Sequence, residues 1–238
     1  MASTTIESWS STKLHDYEKC PRYAQLKHIE RIPDPRPSKA ADRGTAIHNA
    51  AEYFVKGEGP MIKEMHSFAT EFQHLRNLFT AGQVSLEGEW GFDDAWNPCD
   101  YKTAWLRMKL DASVYNPEWD MVIDYKSGKR FGNELKHADQ VTLYALGKFM
   151  RDPDLNLVKT ELWYLDVDDI AKTQFTRQQA MKFWPRMDER ARKMCADNRF
   201  VPRPNIMSCK YCPYKPEPEG TGDCAVGVLN TTFPVRKK

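Results

Sequence analysis

The chain has 238 residues, a hydrophobic share of 41% and a formal net charge of +2 at pH 7, which is the composition of a globular chain long enough to bury a core. No run approaches the roughly 18 apolar residues of a membrane span, and the first residues show no basic start followed by an apolar stretch, so we expect an intracellular protein in a reducing setting. The six cysteines are then more often thiols or metal ligands than disulfides.

Charge is distributed unevenly along the chain. From Ala171 onward there are 14 Lys and Arg residues against 6 Asp and Glu, a balance of +8, which leaves −6 for the first 170 residues. A solvated charged face is one interpretation. The other is a basic C-terminal region that follows an anionic polymer, next to an acidic centre that holds cations.

The predicted elements start with two helical stretches. The first runs over roughly Ser11 to His28, the second starts near Ala41, and the Pro-rich segment RIPDPRPSKA separates them. Helical spacing continues through HSFATEFQHLRNLF. From about Val84 to Ile123, aromatic and β-branched residues in short alternating runs predict strands.

The remaining elements alternate between helix and strand. A helix over about Leu135 to Met150 precedes a strand at KTELWYLDV, a basic helical region from Thr176 to Asn198 and a tail rich in Pro and Cys. This order predicts a single α/β domain with a mixed sheet.

A hairpin of strands carries the charged residues of greatest interest. AWLRMKLDASVY and EWDMVIDYKS flank a turn at residues 116–118, and pairing about Pro117 places Asp111 opposite Ile123 or Asp124, two registers that the sequence leaves open. Alternation puts Asp124 and Lys126 on one face. Two carboxylates at about 5–8 Å across a hairpin repel each other, and a divalent cation with oxygen ligands would neutralise them. The alternative is a solvated salt bridge at a strand end.

Further short motifs surround the hairpin. RGTAIHNAAEYF places Gly44 and His48 on one helix face, and DQVTLYALGKF does the same for Gln140 and Tyr144. The order G-x-x-x-H, an upstream Glu, Asp, D-Y-K and Q-x-x-x-Y resembles the RecB-like branch of the PD-(D/E)XK nuclease superfamily, which includes CRISPR adaptation nucleases and stand-alone phage exonucleases. The resemblance spans residues 9 to 224. It implies a restriction-endonuclease-like core, a mixed β-sheet flanked by helices, within one nuclease domain over 1–238, divided into a helical segment 1–40, a catalytic core 41–170 and a basic region and tail 171–238.

The resemblance also implies roles for individual residues. The Mg²⁺ or Mn²⁺ ligands would be His48, Asp111, Asp124 and the backbone carbonyl of Tyr125. Lys126 would assist the attacking water, and Gln140 and Tyr144 would help to hold the nucleic acid and the site. The upstream Glu is Glu87 or Glu89, with Glu87 favoured, and Met108 and Lys109 stand where the family often has Gly.

Simpler roles compete with these assignments. His48 could be a core histidine, and Gln140 and Tyr144 could form a helix-surface pair. Glu52, one turn after His48, is a candidate to orient its ring. We also expect phosphate contacts from the basic C-terminal region, with the examples Arg186, Arg190, Arg192 and Lys193.

The cysteines form a second pattern. SCKYCPY contains Cys209 and Cys212 as C-x-x-C, Cys224 follows, and Cys20 lies near the N-terminus. One early Cys with a late C-x-x-C and a further Cys resembles the iron–sulfur members of this nuclease branch, in which a [4Fe-4S] cluster joins the two ends of the chain. Structural Zn²⁺ in a Cys₄ site and free thiols are the alternatives.

The predicted function is therefore a metal-dependent deoxyribonuclease, an exonuclease of DNA recombination, repair or phage DNA processing in the cytoplasm of a bacterium or a phage-infected host. DNA is the expected partner, alone or with a recombination or single-strand-binding protein. The alternatives are a non-catalytic nuclease-like subunit that holds DNA ends and a CRISPR adaptation nuclease. The residues do not indicate the direction in which a strand would be cleaved, a preference for single- or double-stranded DNA, or the oligomeric state.

Overall fold

The computed structural model describes residues 4–36, 38–128 and 131–229, so Pro37 of the predicted linker lies outside the described residues. The chain divides into two compact units, one made of residues 1–37 and 188–238 and the other of residues 38–187. Within the described ranges, none of the helices combines the length and apolar character that crossing a membrane requires.

The larger unit is built on a six-stranded sheet in the order β2-β1-β3-β4-β5-β6. β4 and β5 run parallel and all other neighbours antiparallel, which confirms the predicted α/β class with a mixed sheet. The strands are β1 Val84–Phe92, β2 Pro98–Cys99, β3 Leu106–Tyr115, β4 Asp120–Lys126, β5 Leu157–Tyr164 and β6 Asp169–Thr176. The helices of this unit are α3 Lys39–Lys56, a 3-10 helix Lys63–Phe68, α4 Ala69–Thr80, α5 Glu134–Arg151 and α6 Arg177–Met181.

The predicted hairpin is present as β3 and β4. Ala112 pairs with Ile123, so the alignment continues to Asp111 opposite Asp124, the second of the two registers. β6 was not predicted, because its polar and half-exposed sequence, DIAKTQFT, lacks the apolar alternation of a buried strand.

Helices cover both faces of the sheet. On one face, α3 and α4 pack over a core that includes Ile123 and Tyr125 of β4. On the other, α5 packs with its run from Val141 to Phe149 buried, and a Cβ added at Gly147 would lie 2.2 Å from Cε of Met108. The helix α5 therefore packs directly against β3. This close packing fixes the distance between the side chains of α5 and the sheet.

The smaller unit contains α1 Ser11–Lys19, α2 Pro21–His28, α8 Ile206–Cys209 and the C-terminal part of α7, Trp184–Ala196. The single helix expected over residues 11–28 is wrong: Cys20 is extended, with φ −164°, because Pro21 disfavours helical backbone at the residue before it and itself starts α2. The ring of Tyr17 packs edge-on against Phe200, and Glu18 accepts two hydrogen bonds from Arg190.

Candidate active site

Three potential metal ligands converge between α3 and the paired strands β1 and β3. His48, Glu87 and Asp111 each place a ligand atom within 4.8 Å of the other two. His48 Nδ1 lies 2.9 Å from Asp111 Oδ1, and the backbone N–H of Tyr125 donates to Asp111 Oδ2 at 2.6 Å. Asp111 is thereby held in place by one helix and one strand.

Glu87 reaches this group through an unusual backbone. Its φ is +47°, in the left-handed region that residues other than Gly rarely adopt. Leu86 packs against the core beneath α3 and α4, whereas Trp90 lies beside Lys148 of α5. Residues four apart on a regular strand share a face, so the left-handed residue reverses the faces of β1. Strained backbone of this kind is concentrated at functional sites.

Burial and neighbouring charges shift the pKa of all three residues. Burial, together with the nearby Asp124 carboxylate, raises the pKa of Asp111. Burial also raises the pKa of Glu87, helped by the charge of Asp111. Burial lowers the pKa of His48, but the hydrogen bond and charge of Asp111 outweigh it and the net pKa is raised. A divalent cation would favour the deprotonated form of all three groups.

A second network lies on the α5 side of β4. Lys126 Nζ pairs with Asp124 Oδ2 at 2.5 Å and donates to Gln140 Oε1 at 2.8 Å. Asp124 Oδ1 accepts from Gln140 Nε2 at 3.0 Å and from the Tyr144 hydroxyl at 2.7 Å. Burial and the charge of Asp124 hold the pKa of Tyr144 well above its usual value, so this hydroxyl remains a donor.

The predicted site residues of α5 contact Asp124 of β4. Gln140 and Tyr144 bind Asp124 rather than forming an isolated surface pair. The Tyr144 hydroxyl also lies 3.1 Å from the carbonyl oxygen of Lys109, a second acceptor for its single proton. Asp124 is not among the three residues whose ligand atoms lie within 4.8 Å of each other, because both its oxygens face the second network.

The structure also shows the contacts of Gly44, Glu52 and Glu89, three residues that flank the predicted site residues in the sequence. A Cβ added at Gly44 would lie 3.0 Å from Ser127 Oγ, so α3 packs closely against the residue that follows β4 at this glycine. Glu52 Oε1 accepts from Lys56 at 2.5 Å and His48 Nδ1 has Asp111 as its partner, so the role of Glu52 in orienting the ring stays a prediction. Glu89 pairs with Lys109 at the surface.

One residue of this region was missed. His137 Nδ1 lies 2.8 Å from the hydroxyl of Tyr164, and Tyr164 pairs with Lys126 across β4 and β5. Burial and the charge of Lys126 lower the pKa of His137 to about 4, so the ring is neutral at pH 7. Its position three residues before Gln140 was the available signal, since i, i+3 neighbours share a helix face.

The four residues predicted to contact phosphates differ in their ion pairs and in their exposure. Arg190 is bound to Glu18 through two nitrogens, and Arg192 pairs with Asp188 at 2.7 Å. Arg186 and Lys193 are exposed.

The four cysteines singled out from the sequence lie in the smaller unit, and all four line one small cavity: Cys20, Cys209, Cys212 and Cys224. The backbone N–H of Arg203 donates to Cys20 Sγ at 3.4 Å. Burial raises the pKa of Cys224, and the neighbouring Cys20 and Cys209 raise it further. No three of these thiols lie within 4.8 Å of one another among the described residues.

Known proteins resemble this chain in sequence pattern and in fold. The sequence model of the PD-(D/E)XK nuclease superfamily matches residues 8–119 and 117–216. The crystal structure of SSO0001 is 15% identical, covering 94% of this chain and 88% of its own, with a TM-score of 0.48. A protein from Eubacterium rectale, provisionally described as an exonuclease, is 16% identical, covering 85% of this chain and 92% of its own, with a TM-score of 0.46. No curated protein matches the chain.

Proposed function

We propose, from the premise that this chain belongs to the PD-(D/E)XK nuclease superfamily, that it is an Mg²⁺- or Mn²⁺-dependent deoxyribonuclease. Its mixed six-stranded sheet flanked by helices is the restriction-endonuclease-like core that the sequence predicts. The observation that carries the proposal is the convergence of His48, Glu87 and Asp111. On the α5 side of β4, a carboxylate and an amide fix the ammonium of Lys126.

The residues present fit a divalent cation. Two carboxylates and an imidazole supply oxygen and nitrogen ligands of the kind that Mg²⁺ and Mn²⁺ accept. Burial and the charges of neighbouring carboxylates raise the pKa values of Asp111 and Glu87, and a bound cation would offset both effects. A bound cation would activate the attacking water and neutralise charge that develops on the phosphate. We assign Asp124 and the Tyr125 carbonyl as further ligands.

Lys126 is the residue best placed to act on the nucleophile. Its ammonium has three N–H donors, and two of them are directed by Asp124 Oδ2 and Gln140 Oε1. The third can donate to a water or to a phosphate oxygen, because the side chain is one-fifth exposed. Gln140 thus acts as a positioning residue: its amide bridges Asp124 and Lys126 and keeps the two charges in a fixed geometry.

The cavity lined by the four cysteines supports a metal cofactor, and a [4Fe-4S] cluster is favoured over zinc. A zinc–sulfur distance of about 2.3 Å in a tetrahedron places the sulfurs about 3.8 Å apart, closer than these thiols lie as a group. In a [4Fe-4S] cluster each thiolate binds a different iron, so the sulfurs are spread more widely. The cluster would join residue 20 to residues 209–224 and stabilise the smaller unit.

The nuclease proposal is tested by cleavage of end-labelled linear DNA and closed-circular DNA with Mg²⁺ or Mn²⁺. The wild type is compared with Asp124→Asn and Lys126→Met, and Glu89→Gln serves as a control that removes a surface carboxylate from the same sheet. We expect shortening from the ends of linear DNA, intact circles, and a loss of at least about 100-fold in rate in both variants but not in the control. Equal inactivity of wild type and variants, with DNA binding retained, would favour the DNA-end-holding subunit instead.

A further inference from the structure

The smaller unit contains a cavity that no part of the proposed chemistry uses. It has a volume of about 600 Å³ and lies at the C-terminal end of α7. Its lining consists of Tyr17, Pro21, Lys193, Ala196, Asp197, Asn198, Arg199, Val201 and Arg203. Three of these nine residues are cationic and one is acidic.

The three cations are available to a ligand. Lys193, Arg199 and Arg203 are exposed, and none of them forms an ion pair within the described part of the chain. Arg190 and Arg192 on the same helix are instead occupied by Glu18 and Asp188. Unpaired cations collected around one cavity repel each other, and an anion entering the cavity would relieve that repulsion.

The single acidic residue of the cavity is already occupied. The Tyr17 hydroxyl donates to Asp197 Oδ2 at 2.8 Å, and the backbone N–H groups of Arg199 and Phe200 donate to Oδ1 at 2.9 and 3.1 Å. Burial raises the pKa of Asp197, but these hydrogen bonds outweigh it and the pKa is lowered. Asp197 therefore stays ionised and holds the turn that carries Arg199, but the three cations of the cavity outnumber this one carboxylate.

Arg203 is held on a stiff segment. It stands between Pro202 and Pro204, and proline fixes its own φ and restricts the residue before it. The backbone N–H of Arg203 donates to Cys20 Sγ, which anchors the segment to the start of α2. A guanidinium presented from such a backbone loses less conformational entropy on binding than one on a free loop.

We propose that this cavity binds consecutive backbone phosphates of a DNA strand through Lys193, Arg199 and Arg203. The inference rests on the proposed function, because it assigns part of the DNA substrate to a named surface. The exposed Val201 supplies an apolar wall against which the sugars of the strand can pack. Phosphate contacts carry no base information, so the surface binds DNA of any sequence.

The test measures DNA affinity separately from cleavage. A fluorescent single strand is titrated with the full-length chain, its cysteine site loaded, in chelator and between about 50 and 200 mM salt. The variant is Arg199→Glu with Arg203→Glu; the matched control is Lys63→Glu with Lys102→Glu, which reverses two exposed cations outside the cavity. Arg199→Lys with Arg203→Lys keeps the charge and should retain binding.

Each lost phosphate contact lowers affinity on the order of tenfold near 0.1 M salt and reduces the salt slope by about 0.7 for a single strand. We therefore expect the double variant to lose up to about 100-fold in affinity and about 1.4 in slope, while the control changes little. An unchanged melting temperature and visible absorption would show that the variant is folded.

The outcomes separate this inference from the nuclease proposal. If the variant binds with the affinity and slope of the wild type while the wild type cleaves DNA, the cavity is not a phosphate site but the nuclease stands. If the control loses as much as the variant, the effect is one of net charge and the cavity assignment is overturned. Reduced affinity with cleavage restored at saturating DNA supports the cavity as a binding surface.

Discussion

The left-handed backbone at Glu87 predicts that this residue costs stability whenever no cation is bound. Glu87 combines a φ of +47° with a carboxylate whose pKa is raised by burial and by the charge of Asp111. Replacing it with Gln removes the charge and keeps the backbone constraint. Replacing it with Gly removes both.

The magnitude follows from the geometry. Ligand atoms of Glu87 and Asp111 lie within 4.8 Å, and two full charges at that distance repel by about 3.5 kcal/mol at an effective dielectric constant of about 20. The surroundings of Glu87 desolvate its carboxylate only in part and the residue as a whole is exposed, so screening by water reduces this repulsion to about 1 kcal/mol. A left-handed conformation costs a residue other than Gly a further 1–2 kcal/mol, roughly, of which the greater chain entropy of Gly offsets about 0.5–1 kcal/mol.

In chelator, Glu87→Gln is therefore expected to raise the free energy of unfolding by about 1 kcal/mol, and Glu87→Gly by about 1.5–2 kcal/mol. For a chain of this size each kcal/mol corresponds to about 2–4 °C in melting temperature. Thermal melts in chelator and in Mn²⁺ measure the stabilities of the two Glu87 variants. Glu89→Gln is the control on the same strand. In Mn²⁺ both Glu87 variants should gain less than the wild type, because a ligand is lost. A Gln variant less stable than the wild type in chelator would refute the reasoning.

Three other predictions concern stability and metal binding. Tyr125→Phe should raise stability by up to about 1 kcal/mol in urea unfolding, because the buried Tyr125 hydroxyl has no hydrogen-bond partner among the described residues; a clear loss would contradict this. Lys148→Ala leaves the buried Asp120, 2.6 Å away, without its counter-charge and should cost about 3–5 kcal/mol, whereas Lys148→Met with Asp120→Asn should recover most of it by the same measurement. The raised pKa values of Asp111, Glu87 and His48 stabilise the metal-free fold fully below the unfolded-state pKa values, and this stabilisation is lost as pH rises through the folded ones. The gain in melting temperature from Mn²⁺ should therefore grow from pH 5 to pH 8, and a gain that shrinks over this range would count against these three residues as ligands.

The hairpin of the site could be predicted because its rules are local. A period of two and a Pro-containing turn determine β3 and β4 to within one residue of register, and Asp124 and Lys126 follow on one face. The spacing of Gly44 and His48, and of Gln140 and Tyr144, similarly identifies helix faces. These patterns placed the charged residues near each other before any tertiary contact was known.

The remaining features depend on contacts between distant segments. Nothing in LEGEW signals that Glu87 adopts a left-handed backbone and reverses the faces of β1, because a local sequence does not encode the neighbours that hold the strain. The contact of His137 with Tyr164 joins a helix to a strand more than 25 residues away. β6 was missed because an edge strand that is half-exposed carries little hydrophobic signal.

The division of the site into two networks has a mechanistic consequence. Asp124 and Lys126 neutralise each other and are fixed by Gln140 and Tyr144, so this half is satisfied without a cation. His48, Glu87 and Asp111 form a half whose pKa values are raised by burial of the two carboxylates and by the charges that the three residues exert on each other. A cation would enter at this half, and drawing Asp124 toward it would weaken the hold of Asp124 on Lys126. The ammonium, whose third N–H is already exposed, would then be held less tightly by Asp124, which would link the proposed role of Lys126 to the cation without any movement of the sheet.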